Sequence, residues 1–191
     1  MDKPDLYSMK LTSLNSPIRI DSVTLEQGGG RIGMTLCPGK LQSYTLSGDW
    51  DRDLDTDLQA IREWGASALV SLIELEEMDW YNVSDLPGKT KAIGLTHFHL
   101  PIRDMDIPDE DFEKNWVIAG ERLRGLLLAG ESVVLHCMAG LGRTGTIAGK
   151  LMVELGVDPD VAITRIRSAR PGTIQTIFQE AYVRRCKPVI T

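Results

Sequence analysis

Val133-Val134-Leu135-His136-Cys137-Met138-Ala139-Gly140-Leu141-Gly142-Arg143-Thr144-Gly145 is the stretch on which the reading of this chain turns. An apolar strand runs into a glycine-rich turn, and the turn opens a helix. In open α/β sheets ligands sit beyond the carboxyl ends of strands, and that is where Cys137 falls. Met138, Ala139, Gly140, Leu141 and Gly142 separate the cysteine from Arg143, enough backbone to curl round one tetrahedral anion such as phosphate, sulfate or vanadate. Gly140 and Gly142 are expected to take the positive φ angles that turn successive N–H groups inward, an anion nest at a helix N-terminus. Arg143 adds a planar, permanently charged fork that binds two oxygens at once. The same dipoles favour the thiolate of Cys137 over the thiol. Thr144 can donate its hydroxyl to that sulfur, and His136 is read as orienting the loop. A lone cysteine after a strand is usually a small buried hydrophobe. His, Cys, Gly, Arg, a hydroxyl residue and Gly together at these offsets point instead to phosphate chemistry.

Outward from this loop, apolar periodicity alternates between strands and helices. Ile18 to Leu25 and Ile32 to Leu36 read as strands joined by a turn at Gly28, Gly29 and Gly30. Asp55 to Trp64 carries Leu58, Ile61 and Trp64 at helical spacing and stops at Gly65. Ala68 to Ile73 is an apolar run interrupted only by Ser71, the pattern of a strand covered on both faces. A further helix is expected before the strand Thr96 to Ile102. A long helix starts near Pro108, with Phe112, Trp116, Ala119, Leu123 and Leu127 on one face, and ends at Gly130. Thr144 to Leu155, Asp158 to Ala169 and Ile174 to about Lys187 read as helices, the second with Asp158 and Pro159 as cap and first turn. The pattern predicts an α/β fold with a central, mostly parallel sheet flanked by helices on both faces. The expected layout is a loose arm over residues 1–15 and one domain over 16–191.

Composition narrows the function classes. The chain has 191 residues, 42% hydrophobic and 25% charged, enough to bury a self-sufficient core. A net charge of -6 without a basic run argues against nucleic acid as a partner. No apolar stretch approaches the ~20 residues of a membrane span, and residues 1–15 lack the apolar segment of a secretory signal, so a cytoplasmic, membrane-free protein is expected. Cys37, Cys137 and Cys186 have neither disulfide nor zinc spacing, and no metal or other cofactor is expected.

The run His136 to Gly145 resembles the signature loop of the protein tyrosine and dual-specificity phosphatases, His-Cys-x-x-Gly-x-x-Arg-Ser/Thr-Gly. Leu100-Pro101-Ile102-Arg103-Asp104 and Ile174-Gln175-Thr176 resemble segments of the cyclin-dependent-kinase-associated type, and the likeness spans roughly Ile32 to Arg185. The resemblance implies a phosphatase fold and a phosphorylated protein substrate bearing phosphotyrosine, phosphoserine or phosphothreonine. It also implies a phosphocysteine intermediate on Cys137, with Arg143 and the loop from Met138 to Gly142 binding phosphate. A monomer is expected.

In that family an upstream aspartate protonates the departing oxygen and then activates water. Asp104 occupies the matching place; Asp106 is the rival, and Asp109 reads as a helix cap after Pro108. Gln175 and Gln179 lie four apart, hence on one helix face, and the resemblance implies water positioning for them, Gln179 matching better by spacing. Cys37 could form a disulfide with an oxidised Cys137. Other readings stay open: a phosphoprotein-binding module without turnover, and a rhodanese-type sulfurtransferase, which also sets a cysteine in a ring of N–H groups. A phosphoinositide substrate fits less well, because Met138 and Leu141 stand where lysine would meet extra phosphates.

Overall fold

The computed structural model describes residues 10–43, 45 and 48–189. Its elements in chain order are β1 (Lys10–Leu11), β2 (Asp21–Thr24), β3 (Arg31–Thr35), β4 (Leu41–Gln42), β5 (Asp49–Asp51), α1 (Leu54–Glu63), β6 (Ala66–Ser71), α2 (Leu75–Trp80), α3 (Leu86–Ala92), β7 (Thr96–His99), α4 (Glu110–Leu128), β8 (Ser132–His136), α5 (Gly142–Glu154), α6 (Pro159–Ala169) and α7 (Ile177–Arg185).

The main sheet has the order β2-β3-β8-β6-β7, with β8 at its centre and β2 as the antiparallel edge. Every residue of β8 is buried, as its apolar run demands of a parallel strand covered on both sides. Register matters more for function than strand order does. Thr35 of β3 and Ser71 of β6 both pair with His136, so three parallel strands end level with one another just before Cys137. Leu72 then donates its N–H to the His136 carbonyl at 3.0 Å, closing that end of the sheet.

Helices cover the sheet in groups. α1 and α3 pack on each other and on β6 and β7, while α5, α6 and α7 pack together over β2, β3 and β8. Side chains satisfy first-turn N–H groups at several helix starts: at α1 Asp53 accepts from Thr56, at α4 Asp109 from Phe112, and at α6 Asp158 from Asp160 and Val161. The cap read into Asp109 is therefore present, and it separates this carboxylate from the other two aspartates of its loop.

Several boundaries differ from the sequence reading. The Gly28 to Gly30 turn does join antiparallel strands, with Leu25 donating to the Gly30 carbonyl at 2.9 Å. A second, small sheet of order β1-β5-β4 was not foreseen, because its strands are two or three residues long and show no periodicity. Of the segment 1–15 read as a loose arm, residues 1–9 lie outside the described residues, whereas Lys10–Leu11 pair in parallel with β5 and Ser13 is buried against Asp53. Two helices, α2 and α3, precede β7 where one was expected. α7 begins at Ile177 instead of Ile174, because the Thr176–Gln179 capping box starts the helix there. Gln175 consequently precedes the helix instead of sharing a face of it with Gln179. Among the described residues no helix is long and apolar enough to cross a membrane.

Candidate active site

His136 ends β8 and Arg143 lies in the first turn of α5, so the intervening loop sits on the carboxyl crest of the sheet. Each carbonyl of this loop has a donor. Those of Cys137 and Met138 accept from His136 Nδ1 at 3.3 Å and the Cys37 N–H at 3.2 Å. Those of Ala139 and Gly140 accept from Arg170 Nη2 at 3.0 Å and Arg170 Nε at 2.7 Å. The Leu141 carbonyl accepts from the N–H groups of Gly145 and Ile174, at 3.0 and 3.3 Å, and that of Gly142 from Thr146 Oγ1 at 2.8 Å.

The N–H groups of Met138 to Arg143 find no acceptor among the described residues. In a trans peptide the N–H points opposite to the preceding C=O, and there are no cis bonds here. Carbonyls held on one side therefore leave the amides presented on the other, a cradle for an anion.

Glycine serves two different ends in this loop. Gly140 has φ +72°, and a Cβ there would lie 2.2 Å from the Thr35 carbonyl oxygen. Gly142 does not take the positive φ expected of it: it opens α5, and what excludes a side chain is the Gln175 and Gln179 amides, 2.6 to 3.1 Å from where a Cβ would stand. Ile174, β-branched yet at φ +58°, carries the α6–α7 connection back to the Leu141 carbonyl.

Arg143 is almost fully buried, at 1% exposure. Its Nη1 and Nη2 donate to both oxygens of Glu77 at 2.6 and 2.9 Å, and Nη1 also reaches the Ile102 carbonyl at 3.0 Å. Burial works against its charge, but the Glu77 hydrogen bonds and the negative charges of Cys137 and Asp104 hold the guanidinium protonated beyond its ordinary range. Its Nε and the Thr144 hydroxyl are buried without a partner among the described residues. Two buried donors beside the loop suit an anion seated in the cradle, since buried polar groups seek acceptors.

Asp104 lies 3.0 Å from Arg143 Nη2, with half of its side chain open to solvent. Asp106 instead accepts the N–H of Ile107 at 2.8 Å, and its carbonyl receives Gln179 Nε2 at 3.1 Å. Gln179 is wholly buried, and its Oε1 accepts from Gln175 and Thr176 N–H groups at 3.0 and 3.2 Å. It thus joins the aspartate loop to the start of α7. Cys37 lies beside the loop as a buried free thiol, pushed well above its ordinary range by burial, with the Lys40 ammonium opposing.

Sequence reasoning missed Glu77, Ser71, His97 and Arg170. Glu77 had one faint signal: an acidic cluster, Glu74, Glu76 and Glu77, directly after an apolar strand that ends on the same crest. Ser71 and His97 extend the loop's support. Ser71 Oγ lies 2.7 Å from His136 Nε2 and 2.8 Å from His97 Nε2. With both rings neutral, His136 Nδ1 donates to the Cys137 carbonyl, so its Nε2 accepts from Ser71, whose oxygen accepts from His97.

Burial lowers His136 to about 3 and His97 to about 4. Both stay neutral in the fold, while the unfolded chain takes up protons near pH 6.5. Stability is thus complete above about pH 6.5 and declines as pH falls toward 4. The urea midpoint is expected to be lower at about pH 5 than at about pH 7, and His97→Gln to shrink that difference. Equal midpoints at the two pH values would refute the neutral assignment.

A family described as "Polymorphic toxin system, DSP-PTPase phosphatase" matches residues 49–157, more than half of the chain, and the match includes the cradle. The chain belongs to the cysteine-dependent dual-specificity and tyrosine phosphatases. The Cyclin-dependent kinase inhibitor 3 of Rattus norvegicus is 30% identical to this phosphatase-family chain over 138 residues, covering 71% of it and 64% of the rat protein. The chain thus spans somewhat less than two thirds of that relative's length. A probable protein tyrosine phosphatase type IVA A of Dictyostelium discoideum is 31% identical over 59% of this chain and 72% of its own. The crystal structure of a kinase-associated phosphatase, its catalytic cysteine replaced by serine, superposes with a TM-score of 0.76 at 25% identity, covering 88% of this chain and 93% of the other.

Proposed function

We propose that this chain hydrolyses phosphate monoesters on protein side chains, phosphotyrosine or phosphoserine and phosphothreonine, through a phosphocysteine intermediate. The observation that carries this reading is the cradle: carbonyls tied outward from Cys137 to Gly142, amides left without acceptors, and Arg143 locked by Glu77 with one buried donor to spare.

The cradle and Arg143 bind the three terminal oxygens of the ester and gain strength as charge spreads over them in the transition state. Cys137 sulfur attacks phosphorus, the P–O ester bond breaks, and Asp104 passes its proton to the departing oxygen. Water then attacks the phosphocysteine, giving its proton to Asp104 while the S–P bond breaks. Inorganic phosphate leaves and the thiolate returns, receiving the Thr144 hydroxyl hydrogen bond. Asp104 is the acid in this scheme because it alone of the loop's aspartates contacts Arg143, with half of its side chain open to solvent, whereas Asp106 and Asp109 are occupied with backbone N–H groups. Gln179 positions the Asp104 loop, and with Gln175 faces the cradle at Gly142. Three free thiols suit a reducing cytoplasm.

The test is p-nitrophenyl phosphate turnover in the presence of chelator, together with turnover of a phosphopeptide. Asp104→Asn is expected to slow the peptide reaction about 10²- to 10³-fold, while slowing the nitrophenyl ester, with its better leaving group, less. An Asp104→Asn enzyme as fast as the original on both substrates would remove Asp104 from the mechanism. Absence of all turnover in the unaltered protein would remove the enzymatic reading.

A further inference from the structure

Arg170 caps the end of α6 outside the stretch that carries the chemistry, yet its guanidinium makes three directed contacts, two of them at the cradle. Nε and Nη2, on one edge of the fork, reach the consecutive carbonyls of Gly140 and Ala139 at 2.7 and 3.0 Å. Nη1 at the tip reaches Asp21 Oδ2 on β2 at 2.7 Å. Both side chains of this ion pair are close to buried, at 13% and 12% exposure. The backbone holding Arg170 is itself pinned: its N–H donates to Ile166 at 2.8 Å and its carbonyl accepts the Thr173 hydroxyl at 2.8 Å.

We propose that Arg170 is a positioning residue for catalysis, a strut that sets the direction of two adjacent cradle peptides, with Asp21 as its anchor. The inference rests on the phosphate-cradle reading of the loop. Fixing the Ala139 carbonyl outward aims the Gly140 N–H inward, and fixing the Gly140 carbonyl outward does the same for the Leu141 N–H. Without the strut these peptides can rotate, because Gly140 places little steric restraint on its own backbone. Two inward amides would then be lost to the anion and to the thiolate at once. Lysine cannot replace the function, since one compact ammonium does not span two consecutive carbonyls while also meeting a carboxylate. Asp21 also holds Arg19 at 2.6 Å, so the carboxylate is shared, and the anchor draws the β2 edge of the sheet into the support of the active site.

The test uses the whole chain with Arg170→Lys and Asp21→Asn, each checked for folding by thermal melting. Three readouts are compared with the unaltered protein: the inhibition constant of vanadate, the rate of Cys137 alkylation by iodoacetamide at about pH 6, and the kcat and KM for p-nitrophenyl phosphate. For Arg170→Lys, vanadate binding and alkylation are each expected to weaken about tenfold, and kcat to fall at least as much, in the range seen when outer supports of preorganised sites are removed. Asp21→Asn is expected to move the same readouts in the same direction by about threefold, because the fork remains and only its anchor weakens. A residue with a purely structural role would lower the melting temperature and leave vanadate affinity and alkylation unchanged, and that outcome in either folded variant overturns the proposal. Vanadate binding and alkylation do not depend on turnover. If the unaltered protein binds vanadate but turns over no ester, the phosphatase reading fails while these two readouts still decide the strut.

Discussion

Replacing Cys137 by serine is expected to lower turnover of p-nitrophenyl phosphate by at least about 10⁴-fold, the scale on which loss of a nucleophile acts in other covalent enzymes. A serine hydroxyl needs a base to attack at neutral pH, and in this scheme Asp104 enters the first step protonated, committed to the departing oxygen. His136, the adjacent imidazole, is buried, donates through Nδ1 to the residue-137 carbonyl and has Nε2 occupied by Ser71. Its basicity is also low, burial having brought it to about 3. Binding should survive the change, because the cradle amides and Arg143 are held by Arg170, Cys37, Ile174 and Glu77, none of which uses the sulfur. A neutral hydroxyl also removes the repulsion between a thiolate and a dianion. Inorganic phosphate is therefore expected to bind the variant at least as tightly as it binds the original, measured by calorimetry alongside the turnover assay. More than about one per cent of the activity surviving would show that phosphoryl transfer does not pass through this cysteine.

Glu77→Ala is expected to cost both stability and rate. Glu77 meets Arg143 through both oxygens, and the pair has side-chain exposures of 5% and 1%. Removing one partner of such a pair leaves a charge in a poorly solvated place, a loss of about 3–5 kcal/mol. For a chain of this size that corresponds to a fall of roughly 10 °C in melting temperature. The rate suffers separately. Arg143 would keep Asp104 and the Ile102 carbonyl as partners, so its guanidinium is drawn toward the acid and away from the orientation that aims Nε into the site. A loss of about 10²-fold in kcat/KM follows from misplacing one preorganised donor. Glu77→Gln retains one acceptor and should fall between the two. The measurement is calorimetric melting with parallel steady-state kinetics. An alanine variant with both values unchanged would mean that Arg143 is aligned by something other than this carboxylate.

These expectations draw on residues of unequal legibility. Cys137, Arg143 and Thr144 stand within one short run, where the spacing itself encodes a strand end, a turn and a helix start, so their common placement could be read from the sequence and the proposed chemistry with it. Asp104 could be placed only by the likeness of its surroundings, and its contact with Arg143 depends on the loop after β7 folding back to the crest. Gly142 shows the reverse error. A glycine near a phosphate loop was read as a source of positive φ, while its actual constraint is crowding by two amides from residues 175 and 179. The short strands of the small sheet escaped notice because two or three residues carry no period.

The sequence alone determined the fold class and the glycine-rich loop between β8 and α5, since hydrophobic periodicity and local turn chemistry are properties of neighbouring residues. Tertiary structure alone decided what holds that loop in working order: Glu77 on Arg143, Ser71 and His97 behind His136, and Arg170 with Asp21 beneath the Ala139 and Gly140 carbonyls. These partners lie 66 residues from Arg143, 65 from His136 and 149 from one another. Hydrogen bonds and ion pairs act over about 3 Å of space whatever the distance along the chain, so only the packing of strands and helices could bring them together.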